Sequence, residues 1–168
     1  MKTAVAGSSS APVYFDPNIR TDEYDIDHFE IDGAVVANNP SYYAFYMAKI
    51  MNDKENIKLL SIGTGESEPK EKIDYDSRSK KYASILDDMM YRSMIIADNY
   101  LETEFKIQGK AKDYLRVNIE TGLSFDDTGE ENLNGLIKNG EDLWTQDKEN
   151  IKSMLRDIID CRFGDQCA

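Results

Sequence analysis

Ile57-Lys58-Leu59-Leu60-Ser61-Ile62 runs directly into Gly63-Thr64-Gly65, and this stretch limits the fold more than any other in the chain. A near-continuous apolar run bounded by glycine is how a strand buried on both faces reads, because neither face meets water and neither alternates. Such strands lie in parallel sheets covered by helices, so an α/β fold is expected. Upstream, His28 to Ile31 reads as a second strand, and Asn39-Pro40 opens a helix. Asn suits the cap, and Pro suits the first helical position, where its missing N–H costs nothing. That helix is expected to reach about Met51, with Tyr43, Tyr46, Met47 and Ile50 on one face. Strand, helix and strand over 28–31, 40–51 and 57–62 then predict a βαβ unit.

The remaining segments follow the same logic. Residues 1–11 read as the tail of a helix entering a Gly/Ser turn before Pro12, and Val13-Tyr14-Phe15 as a short apolar anchor. The acidic stretch 16–27 and the charged stretch 66–79 read as loops. A long helix is expected from Lys81 to about Glu104, and a strand from Asp113 to Ile119. Two further helices are expected over about 130–144 and 147–162, the first capped by Thr128 with Glu131 three residues on.

A net charge of −12 over 168 residues leaves no basic surplus to neutralise phosphates, which argues against a nucleic-acid partner and against broad attraction to anionic membranes. The two cysteines, Cys161 and Cys167, could close only a very short loop, and two free thiols are expected. No apolar run is long enough to cross a membrane, and a cytoplasmic location is expected.

The residue best placed for chemistry is Asp32, at the end of the 28–31 strand on an Asp-Gly turn. A carboxylate at a strand end is where an α/β enzyme can hold a catalytic group. Asp-Gly is also a common turn dipeptide, so the position alone leaves both readings open. Gly63-Thr64-Gly65 has Glu68 where a dinucleotide loop needs a third glycine, and it reads as a tight turn. The only histidine, His28, reads as a surface or packing residue, and the acidic run from Asp22 to Asp27 lacks the spacing of a calcium loop. No Cys/His cluster suggests zinc, and neither metal nor cofactor is expected. The chain has no Gly-x-Ser-x-Gly and no adjacent glycines, hence neither a nucleophile elbow nor a glycine run for an oxyanion hole.

Several segments in order resemble the patatin-like phospholipases. They are Ala6-Gly7-Ser8-Ser9-Ser10-Ala11-Pro12-Val13-Tyr14-Phe15, then Ile31-Asp32-Gly33-Ala34 with its downstream Asn39-Pro40, then Leu59-Leu60-Ser61-Ile62-Gly63-Thr64-Gly65. Tyr114-Leu115-Arg116-Val117-Asn118 and Glu131-Asn132-Leu133 are similar to the family's C-terminal part. The resemblance implies a partial three-layer α/β/α fold with a mostly parallel sheet. On this reading residues 1–168 form the C-terminal portion of one domain, with a core over 1–119 and a helical segment over 128–162. It implies ester hydrolysis of an acyl lipid by a Ser-Asp dyad without metal or cofactor. Asp32 would be the proton acceptor, within the motif Asp32, Gly33, Ala34. The serine-bearing N-terminal half is absent from this sequence, so the isolated chain is expected to be inactive. A missing N-terminal half or a complementing chain is then an expected partner, together with the lipid and transient contact with a membrane surface. The alternative is a non-catalytic binding or scaffold protein derived from the family.

Overall fold

The computed structural model describes residues 2–12, 14–51, 56–67, 78–124 and 127–163. Most of the loop expected over 66–79, Val13 of the anchor, and the side chains of Cys161 and Cys167 lie outside the described residues. The elements in order are α1 (Lys2–Ser8), β1 (Asn18–Thr21), β2 (Asp27–Glu30), α2 (Ala34–Ala37), α3 (Ser41–Met51), β3 (Leu59–Ile62), α4 (Arg78–Ile107), a 3-10 turn at Ala111–Asp113, β4 (Tyr114–Val117) and α5 (Glu130–Phe163). The fold is mixed α/β, as expected. It divides into two units, residues 1–38 with 69–94 and residues 39–68 with 95–168.

In the first unit, β1 and β2 form an antiparallel hairpin, with Asn18 opposite Glu30 and Thr21 opposite Asp27. This corrects two expectations. Residues 16–27 contain a strand, and the partner of β2 among the described residues is β1, antiparallel, where a parallel βαβ partner was expected. The physical reason lies in its sequence. Asp27-His28-Phe29-Glu30 alternates exposed and half-buried positions, whereas a strand inside a parallel sheet needs apolar residues on both faces. The connection is short, and Asp22 closes it: its Oδ1 accepts from the N–H groups of Tyr24 (2.9 Å) and Ile26 (3.1 Å). Asp25 takes the left-handed conformation this loop requires, with φ of 58°.

The second unit holds the parallel pairing. β3 lies beside β4, in register from Leu59 opposite Tyr114 to Ile62 opposite Val117. The chain reaches β4 through α4, so the crossover expected for a parallel pair is present but joins different strands. Phe45, Leu101, Phe105 and Tyr114 form the core, with Ile57 and Leu59 against it. The Phe105 ring sits 5.1 Å from that of Phe45 and 5.6 Å from that of Tyr114. Lys58 ties the unit together, its Nζ donating to Asp113 at 3.0 Å and Asp157 at 3.1 Å.

Two more corrections concern helices. α3 opens one residue later than expected: the Pro40 carbonyl accepts the first bond, from Ala44 N–H at 3.0 Å, and Asn39 Oδ1 accepts from Ser41 N–H at 3.1 Å in the turn before it. Its buried residues are Ser41 and Phe45, while Tyr43, Tyr46, Met47 and Ile50 are exposed. The helix is apolar nearly all round, and the contact between Phe45 and Phe105 selects the face. α5 is one continuous helix rather than two. Thr145, in the middle, returns its hydroxyl to the Glu141 carbonyl at 2.8 Å, which a helix interior accommodates. Its first internal bond runs from Leu133 N–H to Gly129 C=O, so Gly129 rather than Thr128 occupies the cap.

Gly63 and Gly65 are glycines for different reasons. A Cβ on Gly63 would lie 2.2 Å from Asn118 Oδ1, whereas Gly65 has a φ of +99°. Asn118 Oδ1 accepts from Gly65 N–H at 3.1 Å, which holds the expected tight turn.

Candidate functional site

The site builds up from the hairpin. Glu30, the last residue of β2, accepts from Arg20 Nε at 2.6 Å and Asn18 Nδ2 at 2.9 Å across the hairpin. These bonds, Arg20's first, hold its carboxyl below the usual range. The same side chain packs on Gly7 of α1, where a Cβ would come within 3.1 Å of Glu30 Oε2. α1 then ends in the expected turn, and Ser10 returns its hydroxyl to the Ala6 carbonyl at 2.9 Å. The Ser10 carbonyl accepts the backbone N–H of Asp32 at 3.0 Å. Asp32 is therefore fixed from the α1 side two residues beyond the end of β2.

Its side chain is half-buried. Oδ1 accepts from Ala34 N–H at 2.9 Å, so the carboxylate closes its own turn. Among the described residues Oδ2 accepts no hydrogen bond. One oxygen is thus oriented while the other is available to a proton donor. Gly33 follows with ordinary right-handed geometry, φ −66° and ψ −12°, and nothing lies within 4 Å of where its Cβ would be. No backbone requirement of the described fold explains this glycine, and a side chain there would meet open space. Ala34, whose N–H orients Asp32, begins α2. The three motif residues thus form one local assembly.

His28 takes no part in it. Its Nε2 lies 2.8 Å from Asp22 Oδ2, and that bond is the main reason the Asp22 carboxyl lies below its usual range. The expected structural role of His28 is what the geometry has. Among the described residues no group of three or more His, Cys, Asp or Glu is arranged to hold a metal, and no helix is long and apolar enough to cross a membrane.

The second unit contains a polar cluster that the sequence reading missed. Ser41 Oγ donates to Ser61 Oγ at 2.5 Å, and Arg116 Nη1 donates to the same oxygen at 2.8 Å. Asn39 is only 2% exposed, and its Nδ2 is buried without a hydrogen-bond partner among the described residues. Its orientation is set, because turning the amide over would point its NH2 at Ser41 N–H. The one signal available was Ser61, a hydroxyl inside an otherwise apolar strand. Nearby, burial pushes the Glu66 carboxyl up, against the opposing pull of Arg116. Tyr114 is raised above the ordinary tyrosine range by burial and by its hydrogen bond to Asp98.

No protein-family model matches the chain. It is similar to Patatin-08, Patatin group D-3 and Patatin group D-2 of Solanum tuberosum. Each is 31% identical over 163 aligned positions, covering 81% of this chain and 42% of the relative. The chain thus spans less than half the length of these curated relatives.

Proposed function

We propose, on the premise that this chain is patatin-like over the 81% of its length that aligns, that it carries the general-base part of a lipid acyl hydrolase. The observation that carries the reading is Asp32. One of its oxygens is oriented by Ala34 N–H, the other accepts no bond among the described residues, and the next residue is a glycine where a side chain would meet open space. A serine hydroxyl placed against Oδ2 gives up its proton as its oxygen attacks the ester carbonyl. The carboxyl then returns the proton to the departing alcohol oxygen, and water releases the acyl group by the same two steps. An aspartate with an ordinary pKa of about 4 is a weak base, so the rate rests on placement and on exclusion of water. The step as written needs neither metal nor redox cofactor. The sequence contains no Gly-x-Ser-x-Gly, so the serine has to come from polypeptide other than these residues. The substrate is an acyl lipid, met in transient contact with a membrane surface.

Hydrolysis of a fluorogenic short-chain ester tests the reading. The chain alone is expected to give none. Together with a polypeptide supplying the Gly-x-Ser-x-Gly half of a patatin it is expected to turn over, and Asp32→Asn should lower that rate by about 10²–10⁴-fold. Gly33→Ala should leave the hairpin folded, since its backbone is ordinary, yet lower the same rate. Complemented turnover indifferent to Asp32→Asn would remove the base role. Turnover by the chain alone would remove its dependence on a second segment.

A further inference from the structure

Asp32 and the end of α1 belong to a closed ring of contacts within the first unit. The backbone N–H of Asp32 donates to Ser10 C=O at 3.0 Å, and Ser10 N–H donates to Gly7 C=O at 3.1 Å. Gly7 is itself buried, against the side chain of Glu30. From Glu30 the chain returns to Asp32 in two residues. A glycine inside a helix gives up more conformational freedom than any other residue, so its use there calls for a reason. The backbone of Gly7 supplies none, because its φ is not positive. Close approach does. An added Cβ would stand 3.1 Å from Glu30 Oε2, 3.2 Å from Glu30 Cβ and 3.8 Å from Glu30 Cδ. The Glu30 side chain thus lies along α1 from its root to its carboxylate.

That side chain is a stiff seat for the helix. The hairpin turns Asn18, Arg20, His28 and Glu30 to its half-buried side, while Ile19 and Phe29 face water. Both carboxylate oxygens of Glu30 are taken, Oε1 by Arg20 and Oε2 by Asn18, which holds the side chain in one conformation. Ala34 N–H orients the Asp32 carboxylate only within its own turn. Where that turn stands relative to the hairpin is set by the Ser10 carbonyl, and so by the contact that seats α1.

We infer that Glu30 is a positioning residue for Asp32, acting through Gly7 and Ser10 at the end of α1. The inference rests on the general-base reading of Asp32. Glu30 takes no proton in it; it fixes where the base stands, and a displacement of about 1 Å can cost about 10²-fold in rate.

Two measurements on Gly7→Val and Glu30→Ala test this. In the full chain alone, hydrogen exchange at the Asp32 amide should speed up by about tenfold in Gly7→Val. The amides of β1 and β2 should stay within about threefold of wild type, because that variant removes no hairpin bond. With the polypeptide that supplies the Gly-x-Ser-x-Gly half, both variants should lower kcat by about 10–10²-fold and leave KM within about twofold. Glu30→Gln keeps the length that lies along Gly7 and should recover most of what Glu30→Ala loses. The double variant should lose less than the product of the two single losses, since both act on one contact. Unchanged Asp32 exchange in Gly7→Val overturns the inference, as does a loss carried by KM. Turnover that depends on Asp32 yet ignores both variants overturns it alone, whereas turnover indifferent to Asp32→Asn overturns the base reading and the positioning role with it.

Discussion

The hairpin of β1 and β2 and the pair of β3 and β4 have equally long ladders, four residues against four, yet they are held in opposite ways. In the hairpin, Ile19 and Phe29 face outward, Phe29 at 70% exposure, and cohesion comes from side-chain bonds among Asn18, Arg20, Asp22, His28 and Glu30. In the parallel pair, Tyr114 and Val117 are buried and the aromatic core packs on the strands. Pairing of strands alone therefore does not create an interior; burial does. The candidate base stands on the polar, exposed framework. Its placement depends on carboxylates and caps rather than on packed apolar surface.

The largest contrast is expected from two phenylalanines. Phe105→Ala should cost about 3–5 kcal/mol in denaturant unfolding, because it empties the centre of the aromatic cluster. Phe29→Ala should change stability by less than about 0.5 kcal/mol, and a comparable loss at both sites would break the comparison. Next comes Lys58→Met, which leaves the buried Asp113 without its cation and should cost about 1–3 kcal/mol at neutral pH. Burial works against the Lys58 charge, but Asp113 and Asp157 outweigh it and raise its pKa above 10.5. That stabilisation is complete below 10.5 and is lost as pH rises through the raised value, so wild type and variant should converge in alkali.

The hairpin should respond at the other end of the scale. Asp22 and Glu30 are both held below their ordinary values of 3.8 and 4.5. Their contribution is present above those values and is lost as pH falls through the lowered ones. Amides of residues 18–30 should lose exchange protection in acid before those of β3 and β4; simultaneous loss would contradict the distinction. The smallest effect is expected from Glu66→Gln. Burial raises the Glu66 pKa, so its ionised form burdens the fold at neutral pH. The variant should melt slightly higher than wild type at pH 7 and no higher below pH 4, where both side chains are neutral.

What could be read in the sequence was what is decided locally. The Asn39 turn before α3, the helix tail before the Ser10 turn, a strand ending at Ile62 and the turn at Gly63 and Gly65 each depend on residues within a few positions, and each is present, although Ile62 is 67% exposed where a strand buried on both faces was expected. The errors came where the deciding contact leaves no mark in the apolar pattern. His28 to Ile31 could have paired with either neighbour, and only the Asp22-closed loop with Arg20 and Asn18 opposite settles it. α3 has apolar side chains on several faces, and nothing near it in sequence says that Phe105 waits on the Phe45 side. At Thr145 to Asp147 the polar run looked like a break, because a hydroxyl bonded back into its own helix leaves no mark in the pattern. For the candidate site, Asp32 and its turn were legible, as was the absence of the serine motif. The Ser10 carbonyl that fixes the turn, and the buried Asn39–Ser41–Ser61 cluster, were not, because each joins residues about 20 positions apart.

The pairing of Leu59 with Tyr114 carries a consequence for the order of folding. The core of the second unit sets Phe45 against Leu101, Phe105 and Tyr114, all of which come from well downstream of it in the chain. A hairpin can close within microseconds of its residues becoming available, whereas a parallel pair this far apart must first close the long intervening loop. On the ribosome, β3 emerges long before its partner and waits, apolar and unpaired, until Tyr114 has left the exit tunnel. The interval between the two strands is when this chain is most exposed to aggregation, and when a chaperone has most to protect.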